Sequence, residues 1–457
     1  MNTDLPETEK PSPQCSRMKY VLASRKFLNH YGKKLVWWAN SYWHYSGTHY
    51  EEAGSEDFMR MLIDRWHQTA ATGLQVSGFS AMEIEGRLRS ACFCPLDQAM
   101  PGKLGQTDKH RFKTALRNGI LDLHPCLAGK QPVLAAHSEE WFCTSCLPYD
   151  YDPHAECPRW LEFLGQSLSQ DPERVAVLQE WFGYCCTFDT SLEKMLLMEG
   201  PGANGKTQAM DVLRAMVGHG NCSATDLGSL GRQFAPVGTL GKLVNICGET
   251  DPGIRVPVAT LRHLVTGESF TFERKGKDTF TADPTARFVI SMNQRPQFAD
   301  PTNALWRRII LMPWTNTVPS DKQIPDLGKK IAAAELPGIF NWAVKGLIRL
   351  WTNGRFTESR AVTEAGDSLR AESDPIRTWL LTQYSYEPAR DVAVPRSDLW
   401  DAIRVAEARK EIVLPVGYTP PRLIADVSRV FPGIVSARRK AGAQKPHVWV
   451  GLTEAER

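Results

Sequence analysis

A chain of 457 residues with 42% hydrophobic and 23% charged residues is too long for one core, and it is expected to fold as roughly two to four soluble domains. No apolar run approaches the ~20 residues of a membrane span, and the polar, acidic start MNTDLPETEKPSPQ is not a signal peptide. The net charge of +3 gives no bulk attraction for nucleic acid, so any DNA contact must come from locally placed cations.

Residues 1–17 read as a disordered tail. In the unit that follows, 18–150, KLVWWANSYWHYSGTHYEE alternates apolar and polar residues and predicts a small hairpin, and DFMRMLIDRWHQTAATG has helical spacing. The dense aromatics Trp37, Trp38, Trp43 and Trp66 are expected in a small core, with base stacking as the alternative. The 11 cysteines are odd in number, which fits a reducing cytosol. Cys143 and Cys146 have zinc-knuckle spacing, whereas Cys92 and Cys94 do not; buried free thiols are the favoured reading of all four.

Segment 151–187 predicts a helical collar of two amphipathic helices broken at Ser169–Asp171, with Asp171 and Pro172 as a helix start. From 188 to 352 short apolar strands (KMLLMEG, KLVNICGE, ARFVISMN, RRIILMPW) alternate with helical segments, the α/β signature, and 336–352 is a helix. From 355 to 457, three helix signals (SDPIRTWLLTQY, RSDLWDAIRVAEARKE, PPRLIADVSRVF) lead to Arg438, Arg439 and Lys440 and a closing strand HVWVGL, the outline of a winged helix.

MLLMEGPGANGKTQAMDVL carries the strongest chemical signal. Gly200, Pro201, Gly202, Ala203, Asn204, Gly205, Lys206 and Thr207 match G-x-x-x-x-G-K-[ST] between a strand and a helix. Backbone N–H groups there can close around phosphate oxygens, Lys206 can reach the terminal phosphates of ATP, and Thr207 can hold Mg²⁺. KLVNICGETD ends a strand near Glu249, the candidate catalytic acid, and Asp251; either carboxylate can complete the metal site. ARFVISMNQRP ends a buried strand in Asn293, suited to orienting water or reading the γ-phosphate, or else an ordinary turn residue. SFTFERKGKDTFTA predicts a hairpin with Arg274, Lys275 and Lys277 at its tip, suited to a DNA backbone. Arg307 and Arg308 precede the next strand, where an arginine finger or a surface ion pair is expected.

Taken in order, phosphate loop, acidic strand, basic hairpin, strand ending in Asn and then arginines, the chain resembles superfamily 3 helicases of the AAA+ class. More narrowly it resembles the C-terminal helicase part of phage, plasmid and poxvirus-type primase–helicases. RNGILDLHPC, LPYDYDPHAECPRWLEFL, LQEWFGYCCT, LRHLVTGESFTFERKGK, MNQRPQFADPTNALWRRI and SLRAESDPIRTWL also look like segments of that family. The resemblance implies a homo-hexameric ring moving on single-stranded or forked DNA, in a bacterial host's cytosol. It assigns Lys206 and Thr207 to phosphate and Mg²⁺, Glu249 to catalysis, Asn293 to sensing, Lys275 and Lys277 to the channel, and Arg308 ahead of Arg307 to the finger. The chain departs from the pattern in having Thr250 where a second acid is expected. Only the short tail precedes the lead-in domain, so a helicase without primer synthesis, served by a separate primase, is expected. Asp150 and Asp152 read as turn residues. Two other functions fit parts of the pattern. One is an initiator whose C-terminal domain binds a duplex origin and whose ATPase controls assembly; the other is a small-molecule kinase, against which the basic hairpin argues.

Overall fold

The fold is known from a computed structural model, in which residues 13–69, 78–248, 256–296, 298, 303–415, 417–439 and 446–455 are described. The chain forms two compact units, Met1–Pro296 with Arg307–Thr363, and Gln297–Trp306 with Glu364–Arg457.

In the first unit a helix α1 (Pro13–Tyr31) begins within the segment read as tail. It is followed by a three-stranded antiparallel sheet, β1 (Leu35–Trp38), β2 (Ser41–Tyr45) and β3 (Tyr50–Gly54), and by helices α2 (Glu56–Thr69) and α3 (Gly78–Ala91). The β1–β2 turn is the two residues Ala39 and Asn40, both at positive φ, the geometry that matches strand twist in a tight hairpin. Met59, Ile63 and Trp66 of α2 and Ala81, Ile84 and Leu88 of α3 recur at helical spacing and close over Phe27, Trp37 and Tyr42. Trp37, Trp38, Trp43 and Trp66 are all buried, so the aromatics are core and not a stacking platform. A second antiparallel sheet follows, β4 (Lys113–Leu116), β5 (Gly119–Asp122) and β6 (Val133–Ala135). Asp152 accepts the His154 N–H, a turn contact, whereas Asp150 pairs with Arg117 of the β4–β5 turn.

Helices α4 (Pro158–Ser167) and α5 (Pro172–Cys185) form the predicted pair, and the Asp171 carboxylate accepts from the N–H groups of Glu173 and Arg174 as an N-cap. Next comes a five-stranded parallel sheet: β7 (Met195–Glu199), then helix α6 (Lys206–Val217), β8 (Cys222–Ser223), β9 (Val244–Cys247), helix α7 (Val258–Thr266), the hairpin β10 (Phe270–Phe272) and β11 (Phe280–Ala282), and then β12 (Arg287–Met292) and β13 (Ile309–Pro313). In space the sheet order is β8-β9-β12-β7-β13, and every pair is parallel. β9 and β12 are buried along their whole length, which is why they read as unbroken apolar runs.

Helix α8 (Leu327–Asn353) starts nine residues before the predicted 336, because Pro337 lies inside the helix and does not open it. Gly183 of α5 and Gly346 of α8 sit where the two helices cross. A Cβ on Gly183 would lie 2.3 Å from the Ala343 carbonyl oxygen, so the spacing of the helices is set by a missing side chain. The Glu335 carboxylate of α8 accepts the backbone N–H groups of Arg159 and Trp160 and so caps α4.

The second unit takes the later part of helix α9 (Arg360–Ser373) and helices α10 (Pro375–Gln383), α11 (Arg396–Ala408) and α12 (Pro420–Val430). Its main sheet places β17 (His447–Val450) between β15 (Ala393–Pro395) and β16 (Val435–Arg438), antiparallel to both; β14 (Tyr384–Tyr386) pairs separately with β18 (Leu452–Glu454). Trp379, Leu399, Ile403, Leu423, Val427 and Trp449 form its core. Arg429 joins Asp374, which caps α10, to Asp426. Among the described residues no helix is long and apolar enough to cross a membrane.

Candidate functional site

The loop Gly200–Gly205 leaves the carboxyl end of β7 and enters α6. Gly202, Ala203 and Gly205 have φ of 103°, 50° and 91°, so the chain curls into the concave shape in which backbone N–H groups bind an anion. Gly205 is the N-cap of α6 and has no side chain to cap it; the Lys206 N–H reaches Asn204 Oδ1 at 3.5 Å, and the positive end of the helix faces the loop. The loop is braced from behind. Asn204 donates through Nδ2 to the Trp314 carbonyl at 2.9 Å, Val318 donates to the Ala203 carbonyl at 2.8 Å, and Gly200 donates to the Met292 carbonyl at 3.2 Å. A Cβ at position 200 would lie 2.2 Å from both Asn204 Nδ2 and the Trp314 oxygen, so only glycine closes this turn.

Lys206 opens α6 and is 3% exposed. Its Nζ donates to the Gly200 carbonyl at 2.6 Å, to Asn204 Oδ1 at 3.2 Å and to Asn293 Oδ1 at 3.2 Å. The last bond joins two residues that sequence reasoning placed in one site from opposite ends of the motif order. It exists because β12 lies beside β7, so the residue after Met292 falls next to the loop. Thr207 is exposed at the start of α6. A cradle with a helix amino end, a buried ammonium and an adjacent hydroxyl fits a nucleotide phosphate chain with Mg²⁺.

Two residues of this site do not stand out in the sequence. Arg295 returns from beyond Asn293 to Glu199, the last residue of β7, with Nε 2.6 Å from Oε1 and a terminal nitrogen 2.9 Å from Oε2. The available signals were an acid directly before the loop and an arginine two residues after Asn293. Glu249 and Asp251 lie outside the described residues; β9, the strand expected to present them, ends at Cys247 beside β12.

The basic hairpin forms as predicted, with Gly276 at φ 71° in its turn. Its cations are not all free for a polyanion, however. Arg274 pairs with Glu52 at 2.8 Å and Lys277 with Glu56 at 2.9 Å, and Asn40 donates to the Asp278 carbonyl at 2.9 Å. Lys275 is exposed. The Glu56 carboxyl sits below its ordinary value: burial opposes ionisation, but the Lys277 hydrogen bond and the charges of Lys277, Arg89 and Arg60 outweigh it.

Arg307 and Arg308 stand at the amino end of β13, the far end of the sheet from Lys206. The preference for Arg308 as a finger does not follow from their surroundings. Arg308 is 6% exposed and bonds Glu193 at 2.7 Å, whereas Arg307 is 67% exposed and only 3.9 Å from the same carboxylate. Lys194 donates to the Arg307 carbonyl, and its ammonium is pushed below the usual lysine value by burial and by the charges of Arg308 and Arg307.

In the second unit Arg438 donates to His447 Nε2 at 3.1 Å and Arg439 pairs with Asp391 at 2.7 Å; Lys440 lies outside the described residues. Helix α12 exposes Arg422, Ala425 and Ser428. Back in the first unit, burial pushes the Cys143 thiol up to about 12 and the Cys146 thiol to about 11, and Cys143 donates to the Ser145 carbonyl. Among the described residues no group of three or more His, Cys, Asp or Glu is placed to hold a metal ion.

Comparison with known proteins gives two family matches. Residues 24–169 match the family described as D5 N terminal like, and residues 198–308 match a family of unknown function, DUF5906. No curated protein matches the sequence. Among solved structures the chain is similar to an apo structure of the NrS-1 C-terminal region, with a TM-score of 0.54 and 12% identity over 94% of this chain and 98% of that one. A second apo structure of that region, residues 305–718, gives a TM-score of 0.49 and 13% identity over 95% and 100% of the two chains. At such identity the first likeness is one of fold: a mixed α/β chain built on a parallel sheet and helices.

Proposed function

We propose that this chain is an ATP-driven DNA helicase of the superfamily 3, AAA+ type, acting in replication of a phage, plasmid or other mobile element. The observation that carries the reading is the meeting of Lys206 and Asn293 at the amino end of α6, 3.2 Å apart. A P-loop alone serves many enzymes. A P-loop lysine touching the polar end of the strand next door gives a site that holds a phosphate and senses its presence. Numbered within the sheet, the strands run 5-1-4-3-2, so the acid is expected not on the strand beside the loop strand but one further over, with the Asn293 strand between them. The D5 N terminal like match over the lead-in domain and the fold likeness support the same family.

In this reading Lys206 binds the terminal phosphates, and Thr207 would hold Mg²⁺, which would supply charge neutralisation there. Asn293 touches the γ-phosphate or the water that attacks it, and Glu249, with Asp251 near the metal, supplies the base. Lys275, with Arg274 and Lys277 once released from their carboxylates, grips the backbone of single-stranded DNA without reading bases. Arg307 serves a neighbouring subunit's ATP in a homo-hexameric ring. In the second unit, α10, α11 and α12 with the small antiparallel sheet are read as a winged helix; Arg438 and Arg439 would sit on its wing, with Lys440 next in sequence, suited to a duplex origin.

The Lys206→Ala chain is the test. Purified wild-type protein should hydrolyse ATP faster with single-stranded DNA and separate a tailed duplex, and Lys206→Ala should abolish both while remaining folded, with a cooperative melting transition. Unwinding that survives the substitution rules the assignment out. An origin-binding initiator is the second reading, favoured by the second unit's fold. It predicts tight binding to one duplex sequence with little strand separation.

A further inference from the structure

The β7–β12 ladder ends at the pair Met292 and Glu199, and the Gly200 N–H closes it on the Met292 carbonyl at 3.2 Å. Asn293 therefore projects from a bend that the sheet no longer holds. An amide there must keep its oxygen 3.2 Å from Lys206 Nζ without a strand beneath it. Two residues on, Arg295 grips Glu199 through both carboxylate oxygens, and each side chain is 21% exposed. A planar guanidinium bound at two points fixes orientation as well as distance, which a single ammonium does not. The pair thus closes a ring: up β7 to Glu199, across to Arg295, and back through Asn293 to the end of β12.

We propose that Arg295 is a positioning residue, which clamps the Asn293 bend to the end of β7 so that Asn293 faces the third phosphate beside Lys206 and the site tells a nucleoside triphosphate from a diphosphate. The inference rests on the ATP reading above. The energetic logic is geometric. Misplacing a reacting or sensing group by an ångström costs about 10- to 100-fold in rate, and the cost falls on the step that uses that group. The α- and β-phosphates are held by the loop and the end of α6, whereas the Arg295–Glu199 pair acts at the bend that carries Asn293, so diphosphate affinity should be spared.

The experiment uses the full chain as wild type, Arg295→Ala, Arg295→Lys, Glu199→Gln and the double variant Arg295→Ala/Glu199→Gln. It measures kcat and KM for ATP, Kd for ADP and for a non-hydrolysable ATP analogue, and thermal melting. Arg295→Ala is expected to lower kcat by about 10- to 100-fold. It should leave the ADP Kd unchanged and remove the preference for the triphosphate analogue. Arg295→Lys should recover part of that preference, and the double variant should be no worse than Arg295→Ala. Wild-type kcat and triphosphate preference in Arg295→Ala overturn the inference and leave the ATP reading standing. So does a uniform loss of ADP and analogue binding with a lowered melting temperature, which marks a purely structural pair. Should Arg295→Ala not fold, Glu199→Gln, which keeps an acceptor, decides the same question by the same readouts. A wild-type chain that neither binds nor hydrolyses ATP overturns the ATP reading itself.

Discussion

If the hairpin tip grips DNA, two carboxylates already occupy the cations that phosphates need, and removing those carboxylates should tighten binding. The perturbation is Glu52→Gln with Glu56→Gln, which keeps shape and an acceptor oxygen but removes two charges. The Arg274–Glu52 pair is open on one side, with Glu52 41% exposed, so solvent screening puts it at the low end for a surface pair. Lys277–Glu56, at 23% and 17% exposure, belongs at the upper end. Surface pairs contribute ~0.2–1 kcal/mol each, so the two together oppose DNA by about 1 kcal/mol, or roughly fivefold in Kd. The assay is anisotropy of a labelled oligothymidine with a non-hydrolysable ATP analogue, repeated across a salt series. The double variant should bind about fivefold tighter at low salt. Arg274→Ala should instead weaken binding and flatten the log–log salt slope by ~0.7, the value for giving up one phosphate on a single strand. Unchanged Kd and slope in the glutamine variant, with an Arg274→Ala chain that also binds normally, would place the tip away from DNA and refute the reasoning.

Two further outcomes follow from the same geometry. Because the Glu56 carboxyl is held below its ordinary value, the pairs it makes stabilise the fold above the unfolded-state glutamate value of ~4.3 and lose that contribution as pH falls through the lowered folded value; melting curves taken downward from pH ~5 should therefore decline less steeply in Glu56→Gln than in wild type. Arg307→Ala should fold normally and lose ATP turnover, yet regain part of it when mixed with Lys206→Ala chains that bring an intact Arg307 to its nucleotide. Arg308→Ala should lower the melting temperature instead, because it removes a buried side chain and its 2.7 Å bond to Glu193; no recovery on mixing would remove Arg307 from the proposed role.

What the sequence made legible was local. The four long strands of the parallel sheet stood out because helices and loops cover both faces, which forces apolar runs, and the loop at Gly200–Gly205 stood out because its backbone shape demands glycine at fixed offsets. The Asp171 helix start was visible for a similar reason, since a carboxylate before Pro172 has one obvious use. The extension of α8 was hidden by Pro337, whose usual place at a helix start outweighed weaker propensities upstream. The pairing of Arg274 with Glu52 was hidden by distance: 222 residues separate them, and a charge on a hairpin tip looks the same whether it faces water or a carboxylate. Arg295 and Glu199 escaped notice because neither is unusual where it stands. Their meaning comes from strand order, which brings the end of β12 against the end of β7.

That same strand order bears on why one chain is not a complete motor on the proposed reading. β7 and β13 run parallel from Met195 and Ile309 to Glu199 and Pro313, with the phosphate loop at their carboxyl ends and Lys194, Arg307 and Arg308 at their amino ends. Five strand residues at ~3.3 Å each separate the two by about 16 Å, beyond the reach of an arginine side chain toward its own nucleotide. An exposed arginine at one end and a phosphate cradle at the other are complementary only between copies, head to tail. An interface of that kind uses two different surfaces of the same chain, and it closes into a ring or runs on as a filament according to the rotation between neighbours. The cluster at the amino ends sets Lys194, Arg307 and Arg308 around the carboxylate of Glu193, and burial, then the charges of Arg308 and Arg307, holds the Lys194 ammonium below the usual lysine value. On the proposed reading, a phosphate brought by a neighbouring subunit would offset that excess of positive charge, and the repulsion among the three cations of the isolated chain would become part of the attraction between subunits.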